Sequence, residues 1–505
     1  MSTITQLTEL YHKFCSAVSD GKEIRVVFLD ISKAFDRVWH KGLLQKLYLF
    51  GIRGSLLDWF TDYLKDRCQR ELINGQTSDW KDINAGVPQG SNLGPLLFLV
   101  FINDIVYVIR HCQIRLFADD TCLFITVDNR EEAATLMNED IHNIQTWADQ
   151  WLINFSAPKT KTLLISNKGT PDDHPSLILQ GHIIENVPNH KHLGIVLAHD
   201  LRWNAHINDI QVKCMKKINV MKKFKFKLDR KSLEIIYLSF IRPTMEYGDT
   251  LFAGTYDSDL CKLDKLQIDA MRIVTGATAK SNIALLYEDL NWPSLYERRK
   301  QHSLTLLYKI VNGQTPQYLQ DLIPIRPNEQ GRPNLRSDSN KLLSVPITRT
   351  ESFRRSFIPN TIRTWNKLDK RIRDSPSVAS FKEQFKTNKD NQTNLYGSGK
   401  RWPSIQHARL RIGCSKLNAH LCLNLHVIPS PHCRCGHHLE DPNHYFFVCP
   451  LFYAQRNTLM DTIALLSDNL TIDTLLYGDP HISYNNNLAI FEAVHSYIID
   501  THRFD

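Results

Sequence analysis

The spacing of apolar residues predicts alternating helices and short strands over residues 1–166. Residues 4–18 have apolar positions at helical spacing, whereas Ile24 to Leu29 is a β-branched apolar run that is typical of a buried strand and ends on Asp30. Asn74-Gly75 marks a hairpin turn. Four further helices are predicted: 43–48, which Gly51 ends; 55–64, with Ser55 and Asp58 as a capping box; 95–109, which Pro95 begins; and 131–152. Two strands are predicted within 114–127, joined by a tight turn at Asp119-Asp120, and one more strand over 162–166.

The order of these elements, which is strand, helices, hairpin, helix and strand, predicts an α+β fold. It is a split βαβ arrangement, in which an antiparallel, ferredoxin-like sheet carries helices on one face. The later sequence is first mostly helical, then polar and rich in Arg, Asn, Ser and Pro, and it ends in a small region that contains several Cys and His. We therefore expect an α+β domain over 1–204, a helical domain over 205–310, a connector with short helices over 311–400 and a C-terminal region over 401–505.

Composition narrows the class of protein. Hydrophobic residues make up 42% of the 505 residues, which is enough for sizeable cores. The 11 Cys are an odd number, and the first 20 residues contain no apolar run of the kind found in a signal peptide, so free thiols in a reducing compartment are favoured over disulfides. The longest apolar run, Leu96 to Ile109, is interrupted by Asn103 and Asp104 and is too short to cross a bilayer. These features predict an intracellular protein, in the nucleus or the cytoplasm, with no membrane partner.

The net charge of +8 is modest for this length, but it is unevenly distributed. The segment Lys213–Lys231 contains nine Lys or Arg and one acid, Asp229. Such a block suits a polyanion, and nucleic acid is the obvious candidate. The alternative is that the block is only the solvated face of a helix.

Three carboxylates stand where the predicted elements end. Asp30 follows a buried strand, and Asp119 and Asp120 lie at a predicted hairpin tip. If the tip lies beside the strand end, the acids form a dense negative pocket, which is unfavourable unless cations fill it. Two Mg²⁺ ions, which prefer oxygen ligands, would suit this pocket and would support in-line phosphoryl transfer onto a 3′-hydroxyl. The alternative is that Asp119-Asp120 is only a polar turn.

Three motifs give this pocket a family context. The stretch from Phe28 to Asp36, FLDISKAFD, contains Asp30, and Phe117-Ala118-Asp119-Asp120 contains the other two acids. Between them lies Gly86-Val87-Pro88-Gln89-Gly90-Ser91, whose glycines and proline suit a tight turn that approaches a base pair closely. In this order and spacing, the motifs resemble the first palm motif, the template-and-nucleotide loop and the catalytic hairpin of reverse transcriptases encoded by jockey-like non-LTR (LINE-type) retrotransposons.

The resemblance implies a fold and an activity. The fold is the palm of a right-hand polymerase, with partial fingers, over 1–204, followed by a helical thumb over 205–310. The activity is that of an RNA-directed DNA polymerase in which Asp30, Asp119 and Asp120 hold two Mg²⁺ ions. The implied partners are an RNA template, a DNA primer or target, and deoxynucleoside triphosphates (dNTPs).

The resemblance also implies roles for single residues. Phe35, five residues after Asp30, matches the bulky residue that excludes a ribose 2′-hydroxyl, although it could be a core aromatic. Pro88, Gln89 and Gly90 belong to the loop that binds template and nucleotide. Lys159 resembles the lysine that lies near the leaving pyrophosphate and could act as a general acid, although it could be an ordinary exposed loop lysine.

Similarity to the same family continues downstream of these motifs. His192-Leu193-Gly194-Ile195 resembles the primer-contacting hairpin of the family. The remaining similar segments are Asn154 with Lys159-Thr160, Leu201 with Trp203, His206 and Ile207, Asn291-Trp292-Pro293, Tyr296-Glu297-Arg298-Arg299, and Trp365-Asn366-Lys367-Leu368.

Near the C-terminus, Cys433, Cys435, His444 and Cys449 follow the pattern C-x-C-x8-H-x4-C. Three thiolates and one imidazole are the right set for tetrahedral Zn²⁺, and the cluster resembles the zinc knuckle that follows the polymerase in many non-LTR elements. Tyr445, Phe446 and Phe447 are expected beside it, where they could stack on bases. His432, His437 and His438 are competing ligands, and a chance cluster of free cysteines is the alternative.

The resemblance has one gap at its start. The chain begins about 25 residues before Asp30, and nothing in it resembles the endonuclease or the finger segments that precede the first palm motif in full-length elements. An N-terminally truncated chain that polymerises poorly or not at all, although its acidic centre is complete, is therefore expected. Two other hypotheses remain open: an inactive or co-opted nucleic-acid-binding remnant of such an element, and a reverse transcriptase of the intron or telomere type.

Overall fold

The computed structural model describes residues 2–168, 174–324, 341–385 and 395–505. Within these ranges the α-helices, in chain order, are α1 (Thr3–Ser19), α2 (His40–Leu49), α3 (Ser55–Leu64), α4 (Leu93–Ile102), α5 (Arg130–Gln150), α6 (Asn204–Lys223), α7 (Arg230–Ile236), α8 (Arg242–Glu246), α9 (Asp249–Phe252), α10 (Asp257–Thr275), α11 (Ile283–Leu290), α12 (Leu295–Val311), α13 (Gln317–Gln320), α14 (Glu351–Arg355), α15 (Phe357–Asn366), α16 (Lys370–Arg373), α17 (Val378–Glu383), α18 (Arg401–Arg411), α19 (Tyr453–Ala464), α20 (Ile472–Tyr477) and α21 (Tyr484–Asp500).

The strands all lie in the first part of the chain as far as it is described. In chain order they are β1 (Glu23–Leu29), β2 (Arg67–Gln69), β3 (Leu72–Ile73), β4 (Gln76–Thr77), β5 (Lys81–Ile83), β6 (Gln113–Phe117), β7 (Asp120–Val127), β8 (Lys161–Ile165), β9 (Ile178–Leu179), β10 (His182–Ile183), β11 (Glu185–Asn186), β12 (Asn189–His192) and β13 (Ile195–Ala198). Five of them form the central sheet in the order β11-β8-β1-β7-β6, which is antiparallel except for the β11–β8 pair.

The central sheet is covered on both faces, so the expectation of helices on one face is wrong. Every residue of β1 is buried. On one face Val27 and Leu29 join a core with Ile141 and Ile144 of α5. On the other face Phe124 of β7 meets Phe14 of α1 edge to face, with ring centroids 5.5 Å apart. The uninterrupted apolar run from Val26 to Leu29 within β1, rather than an alternating one, is the sequence signature of a strand buried on both faces.

Several predicted element ends shift by a few residues. Gly54, with φ of 61°, precedes α3 and no side chain caps this helix, so the capping box at Ser55 and Asp58 is wrong. The helix predicted to begin at Pro95 begins at Leu93, and it continues from Asn103 to Val108 as a 3₁₀-helix. The tight turn predicted at Asp119-Asp120 is centred on Ala118-Asp119 instead, because Phe117 pairs with Asp120.

The chain forms two compact units. One comprises Met1–His206 and Lys309–Lys367, and the other comprises Ile207–Tyr308 and Leu368–Asp505. The second unit is helical, and its C-terminal part has an aromatic core that includes Tyr445, Phe446 and Phe491. Across the four described ranges, no helix combines the length and apolar character needed to span a bilayer.

Candidate active site and metal centre

Asp30 is the residue after β1, and the segment 154–160 fixes its backbone. Ser156 N donates to Asp30 O at 2.8 Å, and Asp30 N donates to Thr160 Oγ1 at 3.3 Å. The Asp30 side chain is 40% exposed, yet its Oδ2 atom is enclosed and has no hydrogen-bond partner among the described residues. An enclosed carboxylate oxygen without a donor is suited to a cation.

The other two acids lie at the tip of the β6–β7 hairpin. Ala118, with φ of 52°, turns the chain, so Asp119 is exposed at the tip and Asp120 begins β7. Leu29 pairs with Thr121 across the β1–β7 ladder, and one further step in this register sets Asp30 opposite Asp120. Directly opposite residues of antiparallel strands have Cβ atoms roughly 5 Å apart. The sheet therefore brings the three predicted acids together.

The acids repel one another. Partial desolvation, followed by the charges of Asp119 and Asp30, raises the pKa of Asp120 above its usual range. A divalent cation would relieve this repulsion, and carboxylate oxygens are the ligands that Mg²⁺ prefers. The donor set, the mutual repulsion and the unpartnered Oδ2 of Asp30 therefore fit the Mg²⁺ ions expected from the sequence.

Lys159 is a cation that lies beside this pocket. Its Nζ lies 3.8 Å from Asp30 Oδ2, beyond hydrogen-bond distance, and its side chain is 71% exposed. The turn that carries it is the one that fixes Asp30, since Lys159 N donates to Ser156 O at 3.2 Å. The side chain is therefore close to the acids and still free to contact a ligand.

The loop from Gly86 to Gly90 packs directly against the segment that follows Asp30. Gly86 N donates to Val38 O and Val87 N donates to Phe35 O, both at 2.8 Å. Gly86 has φ of 94°, and a Cβ there would lie 2.8 Å from Asp36 O, so only glycine allows this approach. Gln89 is exposed, and its Nε2 donates to Asp36 Oδ1 at 2.8 Å.

The sequence did not indicate this last contact. Asp36 appeared only as the end of a motif, and nothing in the spacing of Asp36 and Gln89, which are 53 residues apart, indicated a hydrogen bond. Pro88 is half-buried and accepts a hydrogen bond from Ser91 Oγ at 2.7 Å, and Gly90 is exposed with φ of 82°. The loop is therefore held at both ends, and its exposed middle residues are Gln89 and Gly90.

Phe35 is half-buried on a 3₁₀ turn, Ala34–Arg37, just beyond Asp30. Its ring stacks on that of Phe98 in α4, with centroids 4.7 Å apart. One face of the ring is therefore packed, while part of the side chain remains accessible. This geometry is compatible with both interpretations of Phe35, as a core aromatic and as a steric gate.

The basic block divides into paired and exposed cations. Lys217 donates to Phe240 O and Thr244 Oγ1, and Arg230 is buried against Asp289. Lys225 is half-buried, whereas the remaining exposed lysines are Lys216, Lys222, Lys223, Lys227 and Lys231. The nine cations are therefore not equivalent, and those that are exposed are the ones available to a polyanion.

The four C-terminal Cys and His residues come together. One ligand atom of each of Cys433, Cys435, His444 and Cys449 lies within 4.8 Å of the others, and this is the one such group of Cys, His, Asp or Glu in the described ranges. Cys435 Sγ lies 3.3 Å from His444 Nε2, and Cys433 Sγ lies 3.7 Å from Cys449 Sγ. The competing ligand His437 instead stacks its ring on that of His444, at 4.2 Å. These four residues could hold a metal ion.

The aromatic residues beside this cluster belong to the core, and the expectation that they stack on bases is wrong for two of them. Tyr445 and Phe446 are fully buried, and Phe447 packs partly against the same core. Tyr497 Oη donates to Tyr445 O at 2.6 Å. The aromatic run therefore fixes the Cys/His cluster to α21.

Comparison with known proteins agrees with this geometry. Residues 2–238 match the reverse transcriptase (RNA-dependent DNA polymerase) family. The chain is 31% identical over 297 residues to the RNA-directed DNA polymerase from mobile element jockey of Drosophila melanogaster, an alignment that covers 56% of this chain and 32% of that protein. It is 28% identical over 318 residues to the probable RNA-directed DNA polymerase from transposon BS of the same species, covering 60% of this chain and 34% of that protein.

Among solved structures, the chain has a TM-score of 0.23 with telomerase from Candida albicans in complex with a fragment of telomeric RNA, at 12% identity and covering 55% of this chain and 47% of that one. The chain spans about a third of the length of the curated relatives it matches, 32% and 34% for the two above.

The fold is α+β, and its central sheet carries three acids at one edge. Together with the family match, this makes residues 2–238 a reverse transcriptase domain. The relatives above are RNA-directed DNA polymerases of mobile elements, jockey among them, which confirms the resemblance to jockey-like non-LTR, LINE-type reverse transcriptases drawn from the sequence motifs.

Proposed function

We propose that this chain acts as an RNA-directed DNA polymerase that extends a DNA 3′-hydroxyl on an RNA template. The observation that carries the proposal is the convergence of Asp30, Asp119 and Asp120 at one end of the β1–β7 ladder, beside a loop that is fixed to the same segment. The proposal includes a palm over 1–204, a thumb over 205–310, a connector over 311–400 and a C-terminal metal-binding region over 401–505. The partners are RNA template, DNA primer and dNTPs.

The three acids, Lys159 and the loop residues each have a proposed role. The carboxylates of Asp30 and Asp119 are the principal ligands of two Mg²⁺ ions, and Asp120 assists. When bound, the ions supply the charge that lowers the pKa of the attacking hydroxyl and neutralises the triphosphate. Lys159 Nζ is placed to give a proton to the leaving pyrophosphate, because it lies beside Asp30 without being hydrogen-bonded to it. Pro88, Gln89 and Gly90 support the nascent base pair.

Primer extension tests the proposal. The purified chain is incubated with an RNA template, a labelled DNA primer, dNTPs and Mg²⁺, and the products are resolved by length. Extension that requires both RNA and Mg²⁺ is expected. If RNA and DNA bind but no primer is extended at any Mg²⁺ concentration, the chain is a nucleic-acid-binding remnant and the proposed activity is wrong.

Phe35 is proposed to exclude ribonucleotides, because a bulky ring near the nucleotide leaves no room for a 2′-hydroxyl. We expect Phe35→Val to raise ribonucleotide incorporation by roughly tenfold or more, in line with the selectivity that a single steric contact provides. Extension with dNTPs should persist. The measurement is the ratio of the two incorporation rates.

The matched control for Phe35 is Phe98→Leu, which also removes the ring contact between the two residues. If the loss of that contact alone relaxed selectivity, both variants would accept ribonucleotides. A ribonucleotide gain that is absent from an active Phe35→Val enzyme, or present in both variants, excludes the gate.

We also propose that Cys433, Cys435, His444 and Cys449 bind one Zn²⁺. Support comes from the donor set and from the proximity of the four ligand atoms. Elemental analysis should give about one zinc per chain, and Cys433→Ser/Cys449→Ser should lose it. Because both cysteines are buried in the aromatic core, that variant should also unfold at a lower temperature.

The control for the zinc proposal is Cys422→Ser, since Cys422 lies in the same region outside the cluster and is only half-buried. It should keep the metal. Zinc content that is the same in the double variant and in the control contradicts the assignment.

A further inference from the structure

The turn between α6 and α7 has an unusual composition. Residues 222–227, here called the Lys–Phe turn, read Lys-Lys-Phe-Lys-Phe-Lys. Phe224 is 42% exposed and Phe226 is 69% exposed. Phenylalanine rings exposed to this extent are unfavourable in water, and these two alternate with cations. The composition is that of a surface that meets both bases and phosphates.

Hydrogen bonds hold the backbone of the turn, which distinguishes it from an exposed loop without such contacts. Phe224 O accepts hydrogen bonds from Lys227 N at 2.9 Å and from Leu228 N at 3.0 Å. Arg401 Nε donates to Lys225 O at 3.1 Å, and the same guanidinium donates to Val274 O and Ile273 O at the end of α10. The rings are thereby presented on a fixed backbone, which lowers the entropy lost when a ligand binds.

The charges on the turn select one kind of ligand. Lys222, Lys223 and Lys227 are exposed and carry no ion pair within the described ranges. The single acid of the basic block, Asp229, is used to cap α7 through Ser232. Such a surface is complementary to a polyanion. The two rings add to binding only if the polyanion also offers base faces on which they can stack, as a single-stranded nucleic acid does.

We propose that the Lys–Phe turn binds single-stranded nucleic acid, with Phe224 and Phe226 stacking on unpaired bases and the lysines contacting phosphates. The inference rests on the proposed function, since a polymerase that copies RNA meets unpaired template. A duplex offers phosphates but keeps its base faces covered, so the rings add nothing to duplex binding. The turn therefore discriminates single strands from duplexes.

The test measures binding of the full chain, by fluorescence anisotropy, to a short labelled single-stranded RNA and to a duplex. Phe226→Leu keeps the apolar volume and removes the aromatic face. It should weaken single-strand binding roughly 5- to 100-fold, the range for one stacked base, and leave duplex binding unchanged. Phe50→Leu is the matched control, because Phe50 is similarly exposed, at 57%, and lies outside the basic block. Phe226→Trp should restore binding, and its fluorescence should be quenched by the RNA.

The lysines should behave differently from the rings. Lys222→Gln/Lys223→Gln should weaken both ligands and flatten the salt dependence of binding by about two units of slope or slightly less, whereas Phe226→Leu should leave the slope unchanged. The half-buried Lys225 is left intact because its Nζ lies over the Phe226 ring, 5.1 Å from the ring centroid, so its replacement would also disturb that ring. If Phe226→Leu weakens both ligands equally, or changes no more than Phe50→Leu does, the stacking proposal is overturned.

These outcomes separate the two proposals. Ring-dependent binding of single strands without primer extension leaves the turn assigned and the polymerase activity wrong. Primer extension without ring-dependent binding of single strands supports the polymerase activity and excludes the proposed role of the turn.

Discussion

Asp119→Asn is expected to abolish primer extension and to leave the fold as stable as before. Asparagine has the same shape and is tolerated in tight turns, so the β6–β7 hairpin should persist. It lacks the charge that a divalent cation requires. Since metal ions contribute several kcal/mol to phosphoryl transfer and about 1.4 kcal/mol corresponds to tenfold in rate, extension should fall by roughly three orders of magnitude or more.

The stability of this variant separates a functional acid from a structural one. Asp119 contributes to the repulsion that raises the pKa of Asp120, so its removal should leave the free energy of unfolding unchanged or slightly increase it. If Asp119 instead stabilised the fold, Asp119→Asn would lower the free energy of unfolding.

Asp128→Asn is the matched control for Asp119→Asn, because Asp128 lies just beyond the other end of β7 and its ion pair with Lys22 is exposed to solvent. Its extension rate and stability should stay near wild type, since such pairs contribute about 1 kcal/mol or less. If Asp119→Asn extends primers as fast as Asp128→Asn, Asp119 is not a metal ligand.

The acidic centre could be predicted from the sequence because its geometry follows from local rules. A β-branched run ends on Asp30, a hairpin places Asp119 and Asp120 at a tip, and the register of one antiparallel pair brings them together. The same local rules located α1, α5 and β8 to within a few residues. These rules did not predict contacts between residues that are distant in the sequence. Gln89 on Asp36 and segment 154–160 on Asp30 are contacts that no local spacing indicates.

The C-terminal region illustrates the same limit. Cys433 to Cys449 is a local pattern and could be recognised, but the fate of the neighbouring aromatics depends on α21, about 50 residues further along. Only the packing of Tyr445 against Tyr497 and Phe504 shows that these rings are core.

A buried charged triad in the second unit depends most strongly on contacts that are distant in sequence. Asp289 of α11 accepts hydrogen bonds from Arg230 of α7 at 2.6 Å and from Arg411 of α18 at 2.7 Å. The three side chains are 2–3% exposed. The partners are 59 and 122 residues from Asp289, so the pattern of the sequence gave no sign of them. The triad joins helices that we assigned to the thumb to the region that carries the Cys/His cluster.

Asp289→Ala should therefore destabilise this unit by about 3–5 kcal/mol, because it removes the buried carboxylate that the guanidiniums of Arg230 and Arg411 share. For a unit of this size the unfolding temperature should fall by roughly 6–20 °C. Glu234→Ala is the matched control: Glu234 also pairs with Arg230, but its side chain is 27% exposed, so about 1 kcal/mol or less is expected. Thermal unfolding followed by circular dichroism measures both.

The pH dependence of the wild type gives an independent check on the triad. Burial raises the pKa of Asp289, but Arg230 and Arg411 lower it by more, so that it lies below its usual value. Because the pKa of Asp289 is lowered in the folded state, its contribution to stability is fully present above the pKa of an Asp in the unfolded chain, near 3.9. That contribution is lost as the pH falls below this value. The difference in stability between wild type and Asp289→Ala should therefore be constant from neutral pH to about 5 and shrink below about 4. A difference that is already small at neutral pH, or one that Glu234→Ala matches, would mean that the buried triad does not hold the two regions together.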